Sequence, residues 1–360
     1  MNKIGVDASA LIKNRTGVGN YIYEVLINMV SLRDDVEFIL YSNQEIIFPA
    51  LENVRKVVHS PYRKGPAWQN TQLAISLFKD KPDVFWGGNG YLPIISPKKT
   101  KLVLTVHDLV YKYAAETMPV LSRLSRKFFQ PLSVLRADKI VAVSHSTGAE
   151  MLKNYGRYPD AVVHPQINGN YFEGDNLNCF DVKSKYNLSN YLLTIGTLEP
   201  RKNMTALIKS YLQVIESGYT LPQLAIVGGK GWMQGELDKL VEIGVDKGII
   251  KKLGYVPDEE LPALYSSAKA FILASIYEGF GMPVLEAQAS GCPVIISNIS
   301  SMREAANEVC SVFEPSEEAI EDTLKLLSLG ELPLVCRLKS DILNDPIIAS
   351  RTYLNLMELN

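Results

Sequence analysis

The chain has 360 residues, of which 47% are hydrophobic and 21% charged, which fits a folded protein of two domains and excludes disordered and collagen-like classes. A formal net charge of −2 gives no global attraction to polyanions, so no nucleic-acid partner is expected. The four cysteines, Cys179, Cys292, Cys310 and Cys336, form no Cys-x-x-Cys pair and have no histidine at metal spacing, so they read as free thiols of a reducing cytoplasm.

In chain order, Met1-Asn-Lys-Ile-Gly-Val-Asp7 turns polar too soon for a secretion signal, and no apolar run approaches the ~20 residues of a membrane span, so a cytoplasmic protein is expected. The patterning predicts a strand at 3–8, a helix near 19–31, a strand at 36–41, a helix near 67–79, and strands at 83–86 and 102–106. A long helix over 119–136 follows, and then a strand at 139–143. Residues 165–190, with Pro165, Gly169, Gly174 and several asparagines, break the pattern and read as a connection between domains. Alternation restarts with a strand at 191–196, a helix from about 204, a strand at 223–227, a helix near 234–247, a strand around 249–254 and a helix near 258–267. Strand-like runs at 269–275 and 293–297 flank a short helix predicted over 283–290, and the segment 347–359 is helix-like again. Such alternation implies parallel sheets covered on both faces. The expected fold is therefore α/β, with two doubly wound domains in tandem and a last helix that packs back on the first.

The most informative stretch is Glu278-Gly-Phe-Gly-Met-Pro-Val-Leu-Glu286. It lies between two predicted strands, with Pro283 suited to the first helical position and Gly291 to the position just past the helix end. In such a sheet, ligands bind outside the carboxyl ends of the strands, so the loop carrying Glu278 faces a ligand. The following helix start offers unpaired N–H groups to an anion, Gly279 and Gly281 allow close backbone approach, and Glu286 is placed to accept bonds from two hydroxyls. A Glu286 that merely complements the helix dipole and a solvated Glu278 fit the same spacing. A glycosidase pair is disfavoured, because nothing in this spacing sets the two carboxylates across one bond.

Glu199-Pro-Arg-Lys-Asn203 follows the first strand of the second domain, with Arg201 and Lys202 suited to phosphate oxygens and Asn203 placed to cap the next helix. Arg15-Thr-Gly-Val-Gly-Asn-Tyr21 links the first strand to the first helix, but Ile22 stands where a dinucleotide fingerprint needs its third glycine, so NAD is disfavoured. His107 and Asp108 follow another strand of the first domain, where a histidine donates to a sugar hydroxyl or to a backbone carbonyl. The chain has no Asp-x-Asp, so no metal site and no bound cofactor are expected. The stretch Arg123 to Arg136 mixes basic and apolar residues, which fits contact with an anionic membrane or, preferably, a helix packed on its own domain.

Together these residues resemble glycosyltransferase family 4, retaining enzymes with two facing Rossmann-like domains, the GT-B fold. The resemblance rests on the Gly17-Val-Gly19 loop, the His107-Asp108 pair, Val143-Ser-His-Ser146, Gly196 to Asn203, Gly254-Tyr-Val-Pro-Asp-Glu-Glu-Leu261 and the segment 278–286. It implies residues 1–168 as an acceptor-binding domain, 188–340 as a nucleotide-sugar-binding domain, and 341–360 as a crossing helix. It further implies that Glu286 holds the ribose, and that Glu278 with the backbone at Gly279, Phe280, Gly281 and Met282 holds the donor sugar. Arg201 and Lys202 would bind the diphosphate, helped by Gly17, Val18 and Gly19. The backbone near Tyr255 and Val256 would meet the base, and His107 would lie beside the transferred sugar. Some relatives carry a phosphate-binding arginine where this chain has Thr197.

The expected activity is transfer of a hexose, mannose from GDP-mannose in first place, to a glycan or lipid-linked acceptor of a cell-surface polysaccharide such as O-antigen. The donor is a substrate, no metal is required, and peripheral contact with the inner membrane fits such an acceptor. A UDP-sugar or rhamnosyl donor, a nucleotide-sugar epimerase and a non-catalytic glycan-binding partner are the alternatives.

Overall fold

The computed structural model describes residues 1–13, 15–62, 65–176, 179–196, 199–229, 235–336 and 345–358. They form two compact units, Met1–Gln166 with Asn344–Asn360, and Ile167–Leu343.

The first unit holds a seven-stranded sheet: β1 (Asn2–Asp7), β2 (Val36–Ser42), β3 (Val54–Val58), β4 (Val84–Gly87), β5 (Lys101–Val106), β6 (Lys139–Ala142) and β7 (Ala161–Val162). The strand order is 3-2-1-4-5-6-7 and every pair is parallel. The second unit repeats the plan with β8 (Tyr191–Ile195), β9 (Gln223–Val227), β10 (Ile250–Gly254), β11 (Ala270–Leu273), β12 (Val294–Ser297) and β13 (Ser311–Phe313) in the parallel order 10-9-8-11-12-13. Sheets buried on both faces need strands that are apolar throughout, as Ala-Phe-Ile-Leu in β11 and Val-Ile-Ile in β12 are. In each unit the order reverses between the first strand and its later neighbour, β1/β4 and β8/β11. The loops leaving those strands at their carboxyl ends form the crevice of a doubly wound sheet.

Several elements differ from the sequence expectation. The helix expected near 67–79 is a helical stretch 65–80 whose middle, Gln69–Leu73, is π-helical. The supposed connection is partly helical, with turns at Gly169–Asn176 and a helix at Cys179–Tyr186; Lys185 and Tyr186 both reach Glu260 (2.6 and 2.8 Å) within the second unit. The helices His145–Tyr155 and Glu317–Leu329 and the strands β3, β7 and β13 were not expected. Position 234, residues 337–344 at the expected boundary between the second domain and the crossing segment, and residues 359–360 lie outside the described residues.

The last helix, Pro346–Met357, opens on Asp345, whose carboxylate accepts the N–H groups of Ile347 and Ile348 (2.9 and 3.3 Å). It packs on the first unit through a buried polar chain. Trp86 Nε1 only donates and the Val163 carbonyl only accepts, which fixes the direction of every link between them. Trp86 donates to Thr105 Oγ1 (2.9 Å), Thr105 to Tyr353 (2.6 Å), Tyr353 to Tyr21 (2.9 Å), and Tyr21 to Val163 O (3.1 Å). Ser350 Oγ adds a bond to Val25 O (2.8 Å). A chain with each member satisfied fixes one docking register for the helix.

Candidate active site

In the second unit, the loop after β8 turns through a short helical stretch, Pro200–Lys202, and the loop after β11 carries Glu278. Both loops leave the strands at the switch point, so topology alone brings residues 76 and 77 positions apart into contact. Lys202 Nζ bonds Glu278 Oε1 (2.5 Å), and Arg201 Nη1 bonds Oε2 (2.8 Å). Arg201 Nε also holds Glu199 (3.0 Å), and the Arg201 carbonyl accepts the N–H of Ile276 (2.8 Å), tying the two loops by backbone as well. Lys202 and Glu278 are buried.

Burial alone would push the Glu278 carboxyl up. The charges of Lys202 and Arg201, with bonds from Lys202 and from Ser275 Oγ (2.8 Å), overcome it and hold the group at about 2. Ser301 Oγ fixes the Glu278 backbone carbonyl (2.7 Å). Ser275 and Ser301 carry no motif that sequence reasoning could single out. The result is a pair of cations whose heads are set by one ionised carboxylate, a preorganised arrangement for phosphate oxygens.

Backbone geometry shapes the floor of this crevice. Gly196 and Gly228 directly follow β8 and β9, and Gly254 ends β10; they are joined by Gly196 N–H to Val227 O (3.0 Å) and Gly228 N–H to Gly254 O (2.8 Å). Gly228 has φ +145°, and a Cβ there would lie 2.0 Å from the Gly196 carbonyl oxygen, so only glycine fits. Thr197 lies outside the described residues. Beyond Gly254, the Tyr255 side chain is exposed and Val256 is buried.

The expected helix is Met282–Ala289, entered by Gly281 at φ +109° with Pro283 in the first turn. The N–H groups of Val284 and Leu285 already bond the Gly281 carbonyl, and Pro283 has none, so this helix start offers fewer free donors than expected. Phe280 is buried, and Gly279 and Met282 are half-buried. Glu286 is half-buried one turn in and accepts a bond from Tyr265 (3.0 Å). Burial pushes its carboxyl up to about 7, against the lowering effect of the Tyr265 bond, with Asp258 adding to the rise. Glu278 and Glu286 thus share a loop-helix unit with opposite proton affinities. Asn203 stands at the helix start as expected but in the left-handed conformation (φ +55°), which turns its side chain to Pro315 O (3.1 Å) instead of capping.

In the first unit, Gly17, Val18 and Gly19 open the helix Gly17–Leu32 after β1, on the switch-point side of the sheet. A Cβ on Gly19 would lie 2.5 Å from Ala10 O, so the close passage of this loop requires glycine. His107, after β5, bonds the Gly88 carbonyl through Nε2 (2.7 Å), and burial lowers its proton affinity. The carbonyl can only accept, so the neutral ring donates from Nε2 and presents Nδ1 as an acceptor. Of the two roles open from sequence, the structure gives His107 the backbone carbonyl. Asp108 is taken up by Arg126 (2.8 Å) and the Val110 N–H (3.1 Å).

The chain matches two family models, "Glycosyltransferase Family 4" over residues 15–168 and "Glycosyl transferases group 1" over residues 178–339. It is 31% identical over 325 residues to the O-antigen chain mannosyltransferase B of Escherichia coli, a match covering 84% of each chain. A glycosyltransferase from Rickettsia africae ESF-5 superimposes with TM-score 0.68 at 18% identity, over 99% of this chain and 95% of that one. WaaG, a glycosyltransferase involved in lipopolysaccharide biosynthesis, does so with TM-score 0.69 at 15% identity, over 98% and 95%. At these identities the two solved structures are likenesses of fold.

Proposed function

The chain belongs to glycosyltransferase family 4 and has the GT-B fold, and from that premise we propose that it is a retaining mannosyltransferase. Its donor is GDP-mannose and its acceptor a glycan or lipid-linked glycan of a cell-surface polysaccharide such as O-antigen, assembled on the cytoplasmic side. The observation that carries this reading is the Arg201–Lys202–Glu278 cluster at the switch point of the second unit. Its support for mannose is the similarity to a mannosyltransferase along most of both chains.

In this reading Arg201 and Lys202 meet the diphosphate, Glu286 the ribose hydroxyls, and the loop from Glu278 to Met282 the sugar. The base lies on the backbone near Tyr255 and Val256. Gly17 to Gly19 and His107 are the corresponding polar features of the first unit. The acceptor hydroxyl attacks the anomeric carbon from the face that the diphosphate leaves, the carbon–oxygen bond to the diphosphate breaks, and a leaving phosphate oxygen takes the hydroxyl proton. The two cations stabilise charge growing on the leaving group, the work a divalent metal does in other transferases, so the reaction proceeds in EDTA.

The test is a thermal-shift panel of GDP, UDP, dTDP and NAD, followed by NMR of the product's anomeric carbon. Selective stabilisation by GDP and an unchanged anomeric configuration are expected. Stabilisation by UDP or dTDP alone would reassign the donor, stabilisation by NAD alone would overturn the reading, and an inverted product would remove the retaining mechanism.

A further inference from the structure

The helix Val120–Arg136 packs on its own domain as expected, with Val134 in the core of the first unit, yet it also carries a second apolar side that is left uncovered. Its inward side buries Gln130, Ser133 and Val134, whereas Leu121 (81% exposed), Leu124 (57%), Phe128 (60%) and Leu135 (78%) face out. Their spacing of three, four and seven residues aligns them as one stripe along the helix. Leu121, Leu124 and Phe128 also wall an open slot of about 690 Å³, closed on its other side by Pro66, Ala67 and Ile94. The slot is held in shape: Asn70 Oδ1 accepts the Ile94 N–H (2.7 Å), and Arg136 holds Pro93 O (3.2 Å) and Ser96 Oγ (2.9 Å).

Charge identifies the occupant. Residues 92–136 carry eight Lys and Arg against two carboxylates, a local excess of +6 in a chain of net −2. Asp108 is paired with Arg126, while Lys98, Lys99, Arg123 and Lys127 are exposed and make no ion pair among the described residues. An apolar stripe on a helix that also carries the unpaired Arg123 and Lys127 matches an anionic bilayer, whose chains take the apolar face and whose headgroups take the cations. A second copy of the chain fits poorly, because its own Arg123 and Lys127 would stand against like charges.

We propose that this face of the first unit docks on an anionic membrane, with Val120–Arg136 lying at the boundary between headgroups and acyl chains and the slot admitting a chain of the leaflet. The inference rests on the first unit alone and stands apart from the reaction proposed above.

Sedimentation with phosphatidylglycerol vesicles, and separately with phosphatidylcholine vesicles, tests it. The protein should bind the anionic vesicles preferentially, and the double variants Leu124→Glu/Phe128→Glu and Arg123→Glu/Lys127→Glu should each lose about thirtyfold or more in partition. Both variants alter exposed side chains, so unchanged circular-dichroism melting and unchanged stabilisation by GDP separate loss of docking from loss of fold or of donor binding. In a Leu124→Trp variant, the added emission should shift to the blue with phosphatidylglycerol vesicles. Three results would overturn the proposal: no vesicle binding, wild-type binding by both double variants, or a lipid-free dimer that Leu124→Glu/Phe128→Glu dissolves.

Discussion

Lys202 and Glu278, 76 residues apart in sequence, meet at 2.5 Å in the interior of the second unit, and the carboxylate is shared with Arg201. A buried ion pair of this kind is costly to break from one side, because the partner left behind has lost both water and its counter-charge. The cluster therefore links stability and chemistry in one group of side chains.

Glu278→Gln should show that link through pH. The lowering of this carboxyl from 4.5 to about 2 corresponds to on the order of 3 kcal/mol of stability. A depressed folded value contributes fully above the unfolded value and is lost as pH falls through the folded one. Urea denaturation should find wild type more stable than the variant near pH 7, with the gap closing below pH 4.5. A gap that persists unchanged toward pH 2 would contradict the assignment.

Glu286 titrates in the opposite sense. With its carboxyl pushed up to about 7, the free protein holds a proton there below that pH, whereas accepting two ribose hydroxyls favours the ionised form. Nucleotide binding should release a proton and tighten as pH rises toward 7, by up to about tenfold per unit, then level off. Calorimetry in buffers of different ionisation enthalpy reads this directly. Tyr265→Phe, which removes a bond that lowers the Glu286 value, should move the plateau to higher pH, and Glu286→Gln should abolish the dependence.

Gly228→Ala should destabilise the second unit by about 2–4 kcal/mol, since the added Cβ meets the Gly196 carbonyl oxygen at 2.0 Å from a backbone at φ +145°. Denaturation midpoints provide the measurement. A change within about 0.5 kcal/mol would mean that the two loops part easily.

Tyr353→Phe leaves the Thr105 hydroxyl without its acceptor and Tyr21 without its donor inside the first unit. The expected cost is about 1–3 kcal/mol. The loss should appear as faster amide exchange in the helix Pro346–Met357, which this polar chain anchors.

The regular part of the fold is legible because doubly buried parallel strands read as apolar runs, as in Ala-Phe-Ile-Leu of β11 and Val-Ile-Ile of β12. What escapes is short or on an edge: β3 reads Val-Arg-Lys-Val-Val and is half-exposed, and β7 has two residues. The helix His145–Tyr155 has a weak apolar pattern, yet its ends were marked, with Ser144 accepting the Thr147 N–H and Gly156 closing it at φ +66°. At the site, Arg201, Lys202 and Glu278 could be placed on their loops from strand and turn signals. Their mutual pairing could not, nor could the contributions of Ser275, Ser301 and Tyr265, because sequence spacing does not report contacts across a crevice. The outward stripe on Val120–Arg136 escaped for a related reason: periodicity shows that a helix has an apolar side, not which way that side faces.

In the proposed reaction Arg201 and Lys202, held by Glu278, carry charge from a departing diphosphate. The kinetics of GDP release from GDP-mannose by wild type and Lys202→Ala, with and without a mannose-terminated acceptor glycan, test this role. Release by wild type should depend on the acceptor, and kcat/KM should be lower by on the order of 10² or more in the variant. Near wild-type kinetics in a folded Lys202→Ala protein would contradict it.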